Sequence, residues 1–382
     1  MFRVYPNGKP HVTHNPGLRG GAALPPLGSQ LACNRANIIV HQREKNMLDR
    51  FRKNRSAVRC RLWRVRCGAI HVAIVSCSTI IILLTPAVAV SDPIKVMSFN
   101  VRFDFGAPSD DPNAWVANSG TGRRERALTV IDEIGPDILG VQEPVNQQLP
   151  ELQAALEGYE FYGTQRVFEA VGIFYRADRF QRIDQGTFWL SLTPDTPSVF
   201  ETGLLERFAT WAVLQDQLDP EKQYFVLNTH WSHQSQDARL YSADLIRQRI
   251  KSLAGNAPLI VMGDLNVLEN NAAYFDLIGA NDPSGFQLLD SYREMFPVQQ
   301  SDESTSHGFS GNATGQRIDY VLHNSLFNVK DAAIVRTSYD GRYPSDHFPV
   351  TAVLSLIPEP TTSALALAAL CLAMSRRRIL AR

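Results

Sequence analysis

From residue 94 onward, short apolar runs alternate with segments whose apolar residues recur at helical spacing. Ile94–Phe99, Asp137–Val141, Gly172–Tyr175, Tyr224–Asn228, Leu259–Met262, Arg317–Leu322 and Phe348–Leu356 predict strands. Residues 123–134 (RRERALTVIDEI) and 237–253 (DARLYSADLIRQRIKSL) predict amphipathic helices; in the second, Leu240, Ile246, Ile250 and Leu253 can share one face. No internal repeat interrupts residues 91–357, so the pattern predicts one sheet-rich α/β domain with helices on the outside.

Polar residues fall where these strands end. Asn100 follows IKVMSF, Glu143 follows ILGVQ, and His230 follows FVLNT. Asp264 and Asn266 follow LIVMG, Asp319 interrupts RIDYVL, and Asp346-His347 precede FPVTAVL. Each alone reads as a turn residue, a cap or a satisfied core group. Together they suggest side chains converging on one edge of a sheet. In an extended segment Asp264 and Asn266 would face the same way and could grip one phosphate or water. Asp346 and His347 would face opposite sides, so a carboxylate from elsewhere must orient His347. Asp319, a carboxylate between apolar neighbours that needs a partner, is the natural candidate.

Charge and cysteine narrow the class. The chain has 382 residues and no formal net charge, but residues 1–90 carry +12, residues 91–357 carry −15 and residues 358–382 carry +3. An acidic domain without basic stretches argues against broad nucleic-acid binding, and no stable nucleic-acid partner is implied. Cys33, Cys60, Cys67, Cys77 and Cys371 all lie outside residues 91–357, so that domain depends on its core rather than on disulfides.

The two ends read as addresses. Residues 50–66 are densely basic, residues 69–84 mostly apolar, and Ala87-Val88-Ala89 offers a cleavage site after Ala89; this order predicts an export signal. The alternative is an uncut membrane anchor. Residues 1–46 show no apolar periodicity, and Met47 is placed to be an alternative start. The C-terminal order, Pro358-Glu359-Pro360, a short apolar stretch and Arg376-Arg377-Arg378, resembles the PEP-CTERM sorting signal. That resemblance implies processing by an exosortase-type machinery, and a home in the envelope or extracellular matrix of a Gram-negative-type bacterium. A simple tail anchor is the alternative, although the stretch is short for a spanning helix.

Six ordered motifs, MSFNVR (97–102), DILGVQE (137–143), LNTHW (227–231), MGDLNV (262–267), RIDYVL (317–322) and YPSDHFPV (343–350), resemble those of the endonuclease/exonuclease/phosphatase superfamily. The resemblance implies a DNase I-like four-layer α/β sandwich, with two packed mixed β-sheets flanked by helices. It implies Mg²⁺ (or Mn²⁺) held by Glu143 with Asn100 beside it and Asp346 close by. It further implies that Asp264 aligns or deprotonates the attacking water and that Asn266 bonds a phosphoryl oxygen. His347, oriented by Asp319, would contact the scissile phosphate, and His230 matches the sphingomyelinase and deadenylase branches. Either Asp264 or the Asp319–His347 pair would serve as general base. His233, Arg239 and His307 are further candidates for substrate contact.

The expected activity is that of an exported monomeric metal-dependent phosphoesterase. A diester is favoured as substrate, whether nucleic-acid fragment, lipid headgroup or small molecule. A phosphomonoesterase is one alternative and a catalytically silent surface binding module another.

Overall fold

The structure is a computed structural model; it describes residues 92–358 apart from 107–108 and 119–121. The export and sorting signals expected at the two ends lie outside the described residues. Among the described residues no helix is long and apolar enough to cross a membrane.

Among the described residues, twelve strands form two six-stranded sheets. The first sheet runs β11 (Phe327–Ile334), β12 (Val350–Leu356), β1 (Ile94–Asn100), β2 (Ile138–Gln142), β4 (Ala170–Arg176), β3 (Tyr159–Gln165). The second runs β5 (Phe180–Trp189), β6 (Phe208–Asp216), β7 (Gln223–His230), β8 (Leu259–Asp264), β10 (Asp319–His323), β9 (Leu289–Asp290). β1 and β2 are parallel, as are β7 and β8, and every other pairing is antiparallel.

Strand parity explains the layering. Ile94, Val96, Ile138, Tyr224, Val226, Ile260, Met262 and Val321 point between the sheets into a common core. Their sequence neighbours point outward. Met97, Phe99, Leu139 and Val141 pack against α1 (Arg123–Ile134) and α2 (Gln148–Ala155). Phe225, Leu227, Leu259, Val261 and Tyr320 pack against α3 (Gln236–Leu253) and α4 (Ala272–Leu277). A fifth helix, α5 (Ser291–Met295), follows β9. Central strands buried on both faces carry near-continuous apolar runs, which is why the sequence marks them so clearly. The arrangement is the expected four-layer sandwich.

The expected strands and helices match observed elements to within a few residues. β3, β5, β6, β9 and β11 were not anticipated. β3 and β5 are only half-buried, with charged and glycine positions that blur the alternation. β6, although mostly buried, contains Ala209 and Ala212, residues of weak intrinsic strand preference, and is held by pairing with β5 and β7.

One glycine is required by this packing. Gly263 adopts φ +149°, and a Cβ there would collide with the carbonyl oxygen of Thr229 on β7. Gly263→Ala is therefore expected to lower stability by roughly 2–4 kcal/mol, through backbone strain and the forced separation of β7 from β8. Chemical denaturation would check it; a midpoint equal to that of wild type would contradict the close approach.

Candidate functional site

The parity that builds the inter-sheet core also builds the site. Asn100 continues the inward row of Ile94 and Val96, His230 that of Tyr224 and Val226, Asp264 that of Ile260 and Met262, and Asp319 that of Val321. β1, β2, β7 and β8 end at the same edge at which β10 and β12 begin, because β10 runs antiparallel to β8 and β12 antiparallel to β1. At this edge the apolar core gives way to polar side chains. His230, Asp264 and Asp319 are direct cross-strand partners. Asn100 ties the sheets together: its Nδ2 donates to Glu143 Oε1 and to Asp264 Oδ2, each at 3.0 Å.

Asp319 Oδ2 accepts from His347 Nδ1 at 2.9 Å, with Asp264 Oδ2 3.9 Å from the same nitrogen. Burial alone would lower the His347 pKa, but the charge and hydrogen bond of Asp319, with Asp264 and Asp346 beyond, raise it to about 10. Asp264 is pushed up to about 7 by burial and by the neighbouring Asp319. His230 is driven well below its usual value by burial and then by Arg207. His230 Nδ1 lies 2.9 Å from both Arg207 Nη1 and Glu169 Oε2, but only the arginine contact has hydrogen-bond geometry. Nδ1 therefore accepts, and the ring proton sits on Nε2, 3.4 Å from Asp264 Oδ2.

A cavity of about 450 Å³ opens on this edge; its walls include Arg102, Glu143, Arg207, His230, His233, Asp264, Asn266, Asp346 and His347. Asn100 and Asp319 stand directly behind it. The expected extended arrangement of Asp264 and Asn266 is corrected: Asn266 takes φ +50°, the chain turns, and its backbone N–H donates to Asp264 Oδ1 at 2.9 Å. Its side-chain amide donates to the carbonyl of Trp231, which sets the residue at the cavity wall.

Two substrate candidates do not line the cavity. Arg239 donates from Nη1 to the carbonyl of Ser232 at 2.7 Å and from Nε and Nη2 to Gln236, pinning the turn before α3. His307 is buried, stacks on Phe348 and accepts from the backbone N–H of Gly311, so it shapes a loop. His233 does reach the cavity, 3.4 Å from Arg207 Nη2. Sequence reasoning missed Arg207 and Glu169, a buried ion pair that braces His230. Arg207 sits just before a strand and Glu169 just before another, and only the register of β4, β6 and β7 brings them together.

A divalent cation fits one wall of the cavity. The carboxylates of Glu143 and Asp346 face a single guanidinium, that of Arg102, at 3.9 and 3.5 Å, so the pair is placed to share one positive charge. Their carboxylate oxygens suit Mg²⁺ or Mn²⁺, while Asn100 turns its amide nitrogen to Glu143 and its oxygen to the Arg102 backbone N–H, and so orients the carboxylate. Ligand atoms of Asp264, Asp319 and His347 also lie within 4.8 Å of one another. There, however, His347 is itself the cation, with Nδ1 committed to Asp319, so this cluster is a carboxylate–imidazolium network rather than a ligand set.

The model of the endonuclease/exonuclease/phosphatase family matches residues 97–347, a span that contains every one of these site residues. The chain belongs to the endonuclease/exonuclease/phosphatase family. It is 30% identical to a family protein of Bacteroides thetaiotaomicron, with a TM-score of 0.59, covering 69% of this chain and 98% of that one. It is 29% identical to the mannosyl-6-phosphatase of the same organism, with a TM-score of 0.58, covering 68% of this chain and 99% of that one. Protein angel of Drosophila melanogaster is 22% identical over 260 residues, 62% of this chain and 72% of that protein. The activity of this family member is hydrolysis of phosphate esters.

Proposed function

We propose that the chain is an exported, divalent-metal-dependent phosphatase acting on a small phosphate monoester. The observation that carries the reading is the convergence of Asp264, His230 and the Asp319–His347 pair on one cavity whose facing wall holds Glu143 and Asp346. An ion held by Glu143 and Asp346, with Asn100 orienting Glu143, would polarise a phosphoryl oxygen and neutralise its charge. Asp264, with its pKa near neutrality, accepts a proton from the attacking water. His347, protonated and locked by Asp319, donates to the phosphoryl group rather than acting as base. His230 presents Nε2–H beside Asp264, and Asn266 lines the path of the water. Export rests on the basic, apolar and small-residue order that precedes the domain.

The monoester is preferred to the diester because the cavity wall carries the guanidinium of Arg102, with Arg207 behind it held by Glu169. A monoester brings more negative charge and one more terminal oxygen than a diester, and a cationic wall favours the more highly charged ester. The relative named a mannosyl-6-phosphatase supports the same reading. A diester is the second reading, favoured by an adjoining cavity that shares Arg102 and Phe103 and has room for a second ester arm.

Hydrolysis of p-nitrophenyl phosphate beside bis(p-nitrophenyl) phosphate, with Mg²⁺ or Mn²⁺ and an EDTA control, tests the proposal. We expect EDTA-sensitive cleavage with higher kcat/KM on the monoester. Preference for the diester would shift the reading to the second, activity surviving EDTA would sink the metal assignment, and inactivity on both would favour a binding module.

A further inference from the structure

Beside the catalytic cavity lies a second one of about 470 Å³, and the two share Arg102 and Phe103. A ridge of phenylalanines separates them. The rings of Phe103 and Phe105 are 5.2 Å apart, and Phe105 meets Phe168 edge-on at 6.1 Å. Phe105 is 59% exposed and Phe168 58% exposed, so two large apolar side chains stand in solvent at the mouth of the site.

Their exposure is built into the scaffold. Arg123, almost wholly buried, donates to the carbonyls of Val101, Arg102 and Phe103. Gln148, also buried, accepts from the backbone N–H of Asp104 and donates to the carbonyl of Arg102. Two buried side chains thus clamp the backbone from which Phe103 and Phe105 project.

The walls of the second cavity select its occupant. Asp104 and Asp111 line it together with Phe103 and Phe105, and Asp104 is held in place by the backbone N–H groups of Gly106 and Trp115. Of the two arginines in its walls, Arg123 spends its donors on backbone carbonyls and Arg102 faces Glu143 and Asp346. Carboxylates repel a second phosphate, and desolvating them against an acyl chain is costly. They do accept hydrogen bonds from hydroxyl groups, while phenyl faces pack on flat C–H-rich surfaces. We infer that the ridge and this cavity hold the alcohol half of the substrate, and that this half is a hydroxylated ring, that is, a sugar. The inference rests on the phosphatase reading above and names its substrate class.

Phosphate release from a hexose 6-phosphate and from glycerol phosphate, with p-nitrophenyl phosphate as reference, tests it on the full chain. Wild type is expected to prefer the hexose ester. Phe105→Ala with Phe168→Ala should lower the hexose-over-glycerol ratio of kcat/KM about tenfold, chiefly through KM, the scale of one lost aromatic contact. Phe105→Trp, which keeps an aromatic face, should restore most of the ratio. No hexose preference in wild type, or an unmoved ratio in the alanine variant, would overturn the inference. Inactivity of wild type on all three esters would instead overturn the phosphatase reading, and the inference with it.

Discussion

Asp264→Asn should lower kcat by about 10²–10⁴-fold, the range for loss of a positioned general base, while leaving the fold intact. The substitution keeps the shape of the side chain and one of the two N–H contacts, which Asn266 makes to Oδ1 and Asn100 to Oδ2, but gives up the other and removes the proton acceptor. It also removes one of two neighbouring buried carboxylates, so the thermal midpoint should stay level or rise. A large loss of activity with an undiminished midpoint is the signature of a group acting on the reaction. A kcat within a few-fold of wild type would exclude Asp264 as base.

His347→Ala should cost about 10²–10³-fold in kcat, the scale of one lost donor to a developing phosphoryl charge in a water-poor site. It also leaves Asp319 buried without its partner, so a stability loss of roughly 3–5 kcal/mol is expected alongside. Pairing the variant with Asp319→Asn separates the two effects. The double variant should recover part of the stability, because Asp319 no longer leaves a buried charge without its partner, yet hydrolyse no faster than His347→Ala. Rates measured per folded molecule, with the folded fraction taken from circular dichroism, decide the matter. If the two single losses in kcat add fully, the residues do not work as a pair.

Much of this architecture is legible along the chain because the central strands are buried on both faces. LIVMGD is apolar up to the catalytic edge, and IKVMSFN carries only Lys95 and Ser98 before it, so Asp264 and Asn100 stand out at the ends of apolar runs. Asp319 between Ile318 and Tyr320 does the same. Arg207 and Glu169 carry no such signal, since a charged residue just before a strand is ordinary at the surface. Arg239 and His307 show the converse failure. Their residue types suit phosphate binding, but neither lines the cavity: Arg239 is turned to the Ser232 carbonyl and the Gln236 side chain, and His307 stacks on Phe348 with Nδ1 on the Gly311 N–H. The sequence by itself determined the strand ends, the acidic balance of the domain and the residue types at the site, all of which follow from local burial and composition. Tertiary structure alone decided which polar groups meet, which nitrogen of His230 carries its proton, and which phenylalanines remain in solvent. Those outcomes depend on strand pairing and sheet packing between residues far apart in the chain, and no local pattern encodes them.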